Sequence, residues 1–369
     1  MTSPILKGIQ SKWSLIAVTQ ILRYSPVNLR TLLKIKRGHN PKALGLFVRA
    51  IVRLENTTDN EDYTADIRRL SELIRSTMIR TEEDDSVGWG YNFPWQSRVF
   101  FREAYAPNIQ STIIIAHALC DIVECGLLGD AEHESLTDLC LSANRYLINH
   151  LLVYEDDKTA MLDYFPGAHA RVLNIQAQGA WSLLRANRIS GDYRFAFLAE
   201  KLITFVLNHQ NEDGSWPYGL ANSQGFIDGF HTGFILESLY EAMKLNPECG
   251  DESKLRLGYR FYLDHFFCKN GAIKYYHNRT YPIDGHAIAQ SIITLSKLRS
   301  YDSRSGPLLD GVLKWTLANF HSRQGFFYYQ KWPLFTNKIP YLRWVQAWML
   351  YALTILLESE GKGESPCVV

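Results

Sequence analysis

The sequence predicts an all-α protein in which six helical hairpins close into one (α/α)6 toroid. Three observations favour this fold class: a repeated tyrosine turn, apolar runs at helical spacing, and a 46% hydrophobic content in 369 residues. The turn tyrosines stand at positions 91, 164, 218, 275 and 329, so they are 73, 54, 57 and 54 residues apart. Each interval fits two helices and two loops, which is typical of a repeat that must stack on its neighbours to bury a core.

Each repeat is predicted to contain an outer helix, the turn and an inner helix. Residues 13–35 form the first predicted outer helix. In the fourth repeat the apolar run 195–207 stops before a cluster of turn-forming residues, and a second helical run covers residues 232–243. Polar residues open the inner runs because Asn and Asp cap helix N-termini. The predicted inner starts are Asn40, Asn108, Asn174, Asp228, Asp284 and Tyr341.

The chain is predicted to be one toroid domain over residues 1–360, with a basic N-terminal helical segment at 1–54 and a polar tail at 361–369. Residues 1–54 contain ten Lys or Arg and no Asp or Glu, so a net charge of +1 leaves −9 for the rest. This asymmetry indicates either peripheral contact with an anionic membrane or an outer helix that faces water. No nucleic-acid motif accompanies it.

The six cysteines form no CxxC pair, and the sequence shows neither a signal-peptide pattern nor an apolar run long enough to span a bilayer. We therefore expect a cytoplasmic protein, with a membrane-peripheral position as the alternative. No cofactor is expected.

The candidate site lies where the inner helices begin, because a toroid gathers these ends around one mouth. Capping explains the Asn and Asp residues there, but it does not explain the Gln, His and Arg residues beside them. The candidate acids, bases and nucleophiles are His231, His286, Asp228, Asp284, Tyr218 and Tyr276. Histidines at these positions are equally compatible with a buried structural role.

Aromatic and polar residues of the same turns are candidate sugar contacts, because pyranose faces stack on aromatic rings while hydroxyls accept and donate hydrogen bonds. Arg343 is the candidate clamp for a carboxylate, with Arg98 and Arg171 behind it. The alternative is that the aromatic residues are wedges between helices. The candidate substrate-binding residues are Trp89, Tyr91, Trp95, Arg98, Asn108, Arg171, Asn174, Gln176, Trp216, Arg343, Trp344 and Gln346.

Two segments carry a resemblance to known families. Residues 210–216 (QNEDGSW) resemble the QxxxGxW repeat of triterpene cyclases, and residues 228–234 (DGFHTGF) are similar to the helix start that holds the zinc histidine in protein prenyltransferase β subunits. The chain thus resembles the terpenoid cyclase/protein prenyltransferase α-α toroid superfamily and the six-hairpin sugar enzymes. Residues 89–98 and 343–348 look most similar to poorly characterised bacterial toroid proteins of exopolysaccharide biosynthesis.

The sequence departs from both terpenoid patterns. It contains no DxDD acid motif, and the helix start that corresponds to the prenyltransferase Asp-x-Cys reads Asp284-Gly285-His286. His231, Asp284 and His286 provide an alternative three-ligand zinc site with an open fourth position. The leading expectation is no metal, because Asp and His at helix starts also serve as caps and sugar contacts.

Three functions remain open from the sequence. The leading hypothesis is a carbohydrate-active protein of bacterial exopolysaccharide or capsule biosynthesis that acts on an acidic or lipid-linked glycan by lyase, epimerase or hydrolase chemistry. The second is an isoprenoid-handling toroid of the terpenoid cyclase or prenyltransferase type. The third is a non-catalytic glycan-binding scaffold. The lining of the mouth should distinguish them, because a polymer, an isoprenoid and a scaffold require an open groove, a deep apolar well and a filled cavity, respectively.

Overall fold

The computed structural model describes residues 3–5, 8, 11–57, 62–96 and 101–361, and within these ranges the helices form two concentric rings. Each inner helix packs against the next, and the last packs against the first, so the inner ring is closed. This confirms the predicted (α/α)6 toroid. The inner helices are α2 (Pro41–Thr57), α4 (Ile109–Cys125), α6 (Leu173–Ser190), α8 (Gly229–Leu245), α10 (Gly285–Lys297) and α12 (Ala347–Glu360). The outer helices are α3 (Thr64–Ser76), α5 (Asp130–Leu151), α7 (Tyr193–Asn208), α9 (Glu252–Phe266) and α11 (Ser305–Asn319).

Short antiparallel strands connect the helices. No sheet in the described part of the chain has more than three strands, in agreement with the all-α prediction. The pairs are β1 (Ile79–Arg80) with β2 (Val87–Gly88), β3 (Trp95–Gln96) with β4 (Phe101–Arg102), and β5 (Leu152–Glu155) with β6 (Ala160–Leu162). The three-stranded sheet contains β7 (Ile283–Asp284), β8 (Gln330–Lys331) and β9 (Thr336–Asn337).

The inner helices begin where the polar clusters predict. Asn108, Asp228 and Asp284 are N-caps whose side chains accept a backbone N–H of the first helical turn. This satisfies donors that have no partner inside the helix. Asn174 is the second residue of α6, and Tyr341 precedes a π-helical turn, Leu342–Gln346, that leads into α12. All six inner helices therefore direct their N-termini toward the same end of the toroid, the mouth.

The first predicted outer helix is shorter than expected and is not packed as one. Only α1 (Lys12–Tyr24) is helical within residues 13–35, and none of its residues is buried. It ends before Ser25-Pro26, because the residue before a proline is disfavoured in the helical conformation. Its last turn and the loop after it contact the mouth: Tyr341 Oη donates to the Leu22 carbonyl, and Asn337 Nδ2 donates to the Ser25 carbonyl.

The opposite end of the inner ring is closed by buried ion pairs. The Asp121 carboxylate accepts from Arg49, Arg53 and Arg185 at 3.0, 2.9 and 2.8 Å. The three positive charges lower the pKa of Asp121 far below its ordinary value, although burial alone would raise it. Helices α2, α4 and α6 are joined through this one carboxylate. No helix in the described part of the chain is long and apolar enough to cross a membrane.

Candidate functional site

Backbone hydrogen bonds hold the turn tyrosines around the mouth. The carbonyls of Tyr164, Tyr218, Tyr275 and Tyr329 each accept the first backbone N–H of the inner helix in the preceding hairpin, at 2.8–3.0 Å. The donors are the amides of residues 109, 173, 229 and 285. These carbonyls satisfy helix N-termini that would otherwise lack partners. The repeated turn therefore has a structural purpose, and as a consequence it places one tyrosine beside each of these four inner helix starts.

Asp228 and His231 form a hydrogen-bonded pair at the start of α8. One Asp228 oxygen accepts the His231 backbone N–H at 2.9 Å, and the other lies 2.6 Å from His231 Nδ1. Asp228 is buried, whereas the His231 side chain is 20% exposed. A buried carboxylate on Nδ1 fixes the proton on that nitrogen and leaves Nε2 as the basic nitrogen. The pair can thus act as a general base toward the mouth.

Tyr218 packs beside this pair, with its ring centroid 4.5 Å from that of His231 and 4.9 Å from that of Phe226. Burial raises the pKa of Tyr218, and the Asp228 charge raises it further. The phenol is therefore protonated at neutral pH and has a proton to donate. Tyr276 packs edge-on with Phe226, with ring centroids 5.9 Å apart, and carries the Arg279 guanidinium over its ring at 4.2 Å.

His286 is buried at the start of α10, inside a cage of aromatic rings. Its ring lies 4.6 Å from Phe230, 4.9 Å from Trp344 and 4.6 Å from Trp348. Burial lowers the pKa of His286 well below its ordinary value, and the charge of Lys42 adds to this effect. Both ring nitrogens lack a hydrogen-bond partner among the described residues. A neutral imidazole in this position is available to hydrogen-bond a polar group of a ligand.

Asp284 is fully occupied by protein donors. Register between β7 and β8 places it opposite Gln330, whose Nε2 donates to it at 2.6 Å. The His286 backbone amide and Trp344 Nε1 also donate to it, at 2.8 and 3.1 Å. Burial raises the pKa of Asp284 to about 6, an effect that these hydrogen bonds partly offset. This carboxyl group anchors Trp344 and caps α10, and it has no free oxygen directed at the mouth.

Arg343 lies among aromatic rings at the mouth. Its guanidinium carbon is 5.1 Å from the Tyr91 ring centroid, 5.3 Å from that of Phe93 and 5.5 Å from that of Trp344. Neither Asp163 nor Asp228, the structural partners that the sequence allows, forms an ion pair with it. Asp163 accepts the backbone amides of Tyr164, His169 and Ala170 instead. No described carboxylate lies within ion-pair distance of Arg343, so its charge is balanced only by π faces.

Lys42 is a site residue that the sequence analysis did not select. It is buried, its Nζ lies 5.2 Å from the Trp348 ring centroid, and it forms no ion pair with a described residue. Burial lowers the pKa of Lys42 well below its ordinary value, and the Arg343 charge lowers it further. The repeat contains the missed signal: Lys42 stands two residues after Asn40, as His286 does after Asp284 and Arg343 after Tyr341.

Four predicted substrate contacts have structural partners instead. The indole N–H groups of Trp89 and Trp216 donate to the Ile74 and Val206 carbonyls of outer helices, and both rings are buried. Gln176 exchanges hydrogen bonds with the backbone of Leu162, and Gln346 does the same with Phe327. These bonds use at least one donor and one acceptor of each amide side chain and hold it against the backbone, so the contacts present are structural.

The remaining candidates are distributed around the mouth. Tyr91 and Tyr164 are linked through their hydroxyls at 3.3 Å, and Trp95 packs edge-on against both rings. Asn108 is used as an N-cap.

Asn174 donates to Gln178, and its Oδ1 has no partner among the described residues. Arg171 is exposed. Arg98 lies outside the described residues.

The alternative zinc site is not assembled. His231 and His286 are on adjacent inner helices as predicted, but Nδ1 of His231 faces Asp228 and the Asp284 oxygens accept from Gln330 and Trp344. Within the described residues, no group of three or more His, Cys, Asp or Glu has an arrangement that could hold a metal ion. The prenyltransferase-like metal chemistry therefore has no support in these side chains.

The cleft between Tyr91, Phe93, Trp95 and Asn108 has a free volume of about 10 Å³. This is room for about one water molecule. A sugar ring does not fit in this volume. The geometry thus defines a mouth with one accessible Asp–His pair, one enclosed histidine and unpaired cations behind an aromatic rim.

No family model and no curated protein matches the sequence. Solved structures with the same fold include a cellobiose 2-epimerase from Bacillus thermoamylovorans B4167 (TM-score 0.65, 9% identity, covering 89% of this chain and 90% of that one). A GH76 alpha-mannanase from Bacteroides thetaiotaomicron (0.60, 9%, 96% and 97%) and a polysaccharide lyase (0.61, 11%, 95% and 99%) are also similar. At these identities the likeness shows the fold alone. The resemblance to terpenoid cyclases and prenyltransferases remains a prediction.

Proposed function

We propose that the protein is a carbohydrate-active enzyme that takes a proton from an acidic glycan, as a lyase or an epimerase does. The observation that carries this proposal is the Asp228–His231 pair: the buried Asp228 carboxylate holds Nδ1 of His231, and the His231 side chain at the start of α8 is 20% exposed. Three of the similar structures are an epimerase, a mannanase and a lyase, which agrees with carbohydrate chemistry on this fold.

The chemistry can be assigned to particular side chains. His231 Nε2 removes the C5 proton of a uronate, which is acidified by the adjacent carboxylate. Arg343 binds that carboxylate and stabilises the negative charge that develops on it. Tyr218 is a protonated phenol and therefore supplies a proton, either to the leaving oxygen in elimination or to the opposite face in epimerisation.

Hydrolysis is less compatible with these side chains. It requires a carboxyl pair with free oxygens, one as acid and one as base or nucleophile. Asp228 and Asp284 are the two carboxyl groups at equivalent positions of the mouth. Both oxygens of Asp228 are bonded to His231, and those of Asp284 accept from Gln330, Trp344 and a backbone amide.

The test is solvent isotope exchange. The protein is incubated in D2O with a series of uronate oligosaccharides, and deuterium at C5 is measured by NMR, while ultraviolet absorbance reports unsaturated products. We expect exchange with at least one uronate and its loss in His231→Asn, with binding retained. Exchange at the wild-type rate in His231→Asn would exclude His231 as the base.

A non-catalytic glycan-binding scaffold is the second candidate, and the small free volume of the Tyr91 cleft favours it. Binding of uronates without exchange by the wild-type protein would establish this alternative. In that case Arg343 would still be the residue that binds the uronate carboxylate, and His231 would not be a catalytic base.

We further propose that the glycan belongs to exopolysaccharide or capsule synthesis at the cytoplasmic face of the membrane, where a lipid-linked intermediate would be presented. Trp13, Ile21, Val27 and Leu32 are exposed in a segment without acidic residues. Apolar and basic side chains together are typical of a surface that lies on anionic lipid. Sedimentation with phosphatidylserine vesicles, but not with phosphatidylcholine vesicles, is the expected result. Trp13→Ser should weaken it.

A further inference from the structure

Buried cations at the closed end of the toroid all have acidic partners. Arg49, Arg53 and Arg185 converge on Asp121, and Lys297 lies 2.9 Å from Glu237 and 2.7 Å from Glu241. This is the ordinary requirement for charges that are removed from water, since an unpaired buried charge is strongly destabilising. The chain therefore neutralises its buried cations wherever only stability is concerned.

Lys42 at the mouth breaks this rule, and three less buried cations around it also lack acidic partners. Lys42 is buried, Arg30 and Arg343 are half-buried, and Arg23 is more exposed. None of the four forms an ion pair with a described carboxylate. Their partners are neutral: Arg23 Nε donates to Tyr329 Oη at 3.3 Å and Arg30 Nη1 to Tyr341 Oη at 3.2 Å. Arg343 and Lys42 face aromatic rings.

The contacts of the four residues place them around one opening. Tyr329, the partner of Arg23, accepts the amide that starts α10, and Tyr341, the partner of Arg30, is the N-cap of the turn that carries Arg343. The Arg30 charge helps to lower the pKa of Arg343, although burial is the larger cause. The carboxyl group of Asp284 is near enough to feel the charge of Arg23, but it makes no ion pair and is bonded to Gln330 and Trp344.

Buried polar groups without partners lie at the same level of the inner ring. Gln110 Nε2, Asn174 Oδ1 and both ring nitrogens of His286 are buried and have no hydrogen-bond partner among the described residues. Each of these residues stands in the first turn of its inner helix. Cations without counter-ions and polar atoms without partners are what a ligand with charged and hydroxyl groups would satisfy.

We propose that the mouth binds a ligand with two or more negative charges, and that Arg23 and Arg30 of the N-terminal segment hold it together with Lys42 and Arg343. The inference rests on the proposed function, because it concerns the same mouth, and it narrows the substrate to a polyanionic sugar. An oligouronate and a sugar diphosphate share this chemistry. The segment that packs poorly as an outer helix thereby supplies two of the four binding cations.

The experiment is calorimetric titration of the full-length protein with a monouronate, a triuronate, a sugar diphosphate and a neutral trisaccharide. Each charged hydrogen bond to the ligand contributes roughly a tenfold change in Kd. We expect a polyanion to bind at least about tenfold tighter than the monouronate, and the better of the two polyanions identifies the source of the charge. The neutral sugar should bind more weakly than either.

Variants locate the charges. Arg23→Gln combined with Arg30→Gln should bring the Kd of the polyanion to within about twofold of the monouronate Kd, since two charged hydrogen bonds are lost. Lys12→Gln is the matched control, because Lys12 is an exposed cation on α1 whose Nζ contacts only the neighbouring Trp13 ring among the described interactions. It should change the Kd by less than about twofold. Lys12 and Arg23 lie on α1, which has no buried residue, and Arg30 is only half-buried in the loop after it, so these variants should fold. The wild-type ligand series tests the charge requirement without any variant.

Two outcomes would overturn the inference. Equal Kd values for monouronate and polyanions show that one charge suffices. An equal increase in the Kd of the polyanion in Lys12→Gln and in the double variant shows diffuse electrostatic attraction rather than a defined binding site. If Arg343→Lys still weakens uronate binding and deuterium exchange persists, the proposed function stands without this inference. If neither deuterium exchange nor anion binding is detected, the proposed function and this inference are both refuted.

Discussion

Asp228→Asn separates the two roles of this side chain. In the protein, one Asp228 oxygen caps α8 and the other holds His231 Nδ1 at 2.6 Å. Asn keeps the capping oxygen, and Asn and Asp are nearly equivalent as N-caps. Its amide nitrogen, however, donates to Nδ1 instead of accepting from it. The imidazole proton then moves to Nε2, so Nε2 becomes a donor and can no longer remove a proton.

The two effects have different magnitudes. A positioned general base contributes about 100- to 10,000-fold in rate, so deuterium exchange into the uronate should fall by at least about 100-fold. Stability loses only the difference between a charged and a neutral hydrogen bond, about 1 kcal/mol. In a chain of this size that corresponds to a fall in Tm of about 2 °C or less. The assay is exchange followed by NMR, with Tm measured on the same samples.

The matched control is Asp251→Asn. Asp251 caps the outer helix α9 through the backbone amides of Ser253 and Lys254, and it has no histidine partner in the described structure. This variant should keep the wild-type exchange rate. If Asp228→Asn exchanges deuterium at the wild-type rate while its Tm is also unchanged, the Asp228–His231 pair is not the base and the assignment of His231 is refuted.

Four further predictions follow from single contacts. Asp121→Asn leaves three buried arginines without a full counter-charge and should lower the free energy of unfolding by about 3–5 kcal/mol in urea titrations. Gly90→Ala places a Cβ 2.0 Å from the Ala106 carbonyl oxygen and should destabilise by at least about 1–3 kcal/mol, with a lower Tm. Because the pKa of Asp284 is raised to about 6 in the folded state, its protonated form is favoured by folding. The free energy of unfolding should therefore fall by up to about 3 kcal/mol as the pH rises from 4 to 7, and Asp284→Asn should remove this slope. Arg343→Lys loses the planar fork and should weaken uronate binding by about 1–3 kcal/mol in calorimetry, whereas a large fall in Tm with unchanged binding would identify a structural residue.

The sequence predicted the ring of inner helices because the repeat combines two independent signals, a turn and a capped helix start. Asn108, Asp228 and Asp284 are N-caps as predicted, since Asn and Asp accept backbone N–H groups without help from distant residues. The first outer helix was not predictable in the same way. Residues 13–35 contain enough apolar side chains to resemble a packed helix, but Pro26 divides them, and nothing local specifies which surface they contact.

The candidate site was only partly predictable, because a polar side chain at the mouth has two possible partners. Gln176 and Gln346 have the donors and acceptors that a sugar needs, but the backbone of Leu162 and Phe327 uses them. Only the three-dimensional structure shows such pairings between residues that are distant along the chain. Lys42 was missed for the opposite reason. It lies at the same repeat position as His286 and Arg343, and comparison of that position across all six inner starts would have found it.

The two ends of the inner ring show why the mouth, rather than the whole axis, is the place to look for function. At the closed end, Asp121 joins three helices through three arginines, and this arrangement needs no ligand to be stable. At the mouth, Lys42 and Arg343 have no such carboxylate among the described residues, and the desolvation of each is only partly offset by aromatic rings. The same chain pairs its arginines with a carboxylate at the closed end, so it is able to pair Lys42 and Arg343 in the same way. Lys42 and Arg343 without counter-ions cost stability. They lie at the end of the ring that also holds the Asp228–His231 pair, and an anion that binds there best explains their presence.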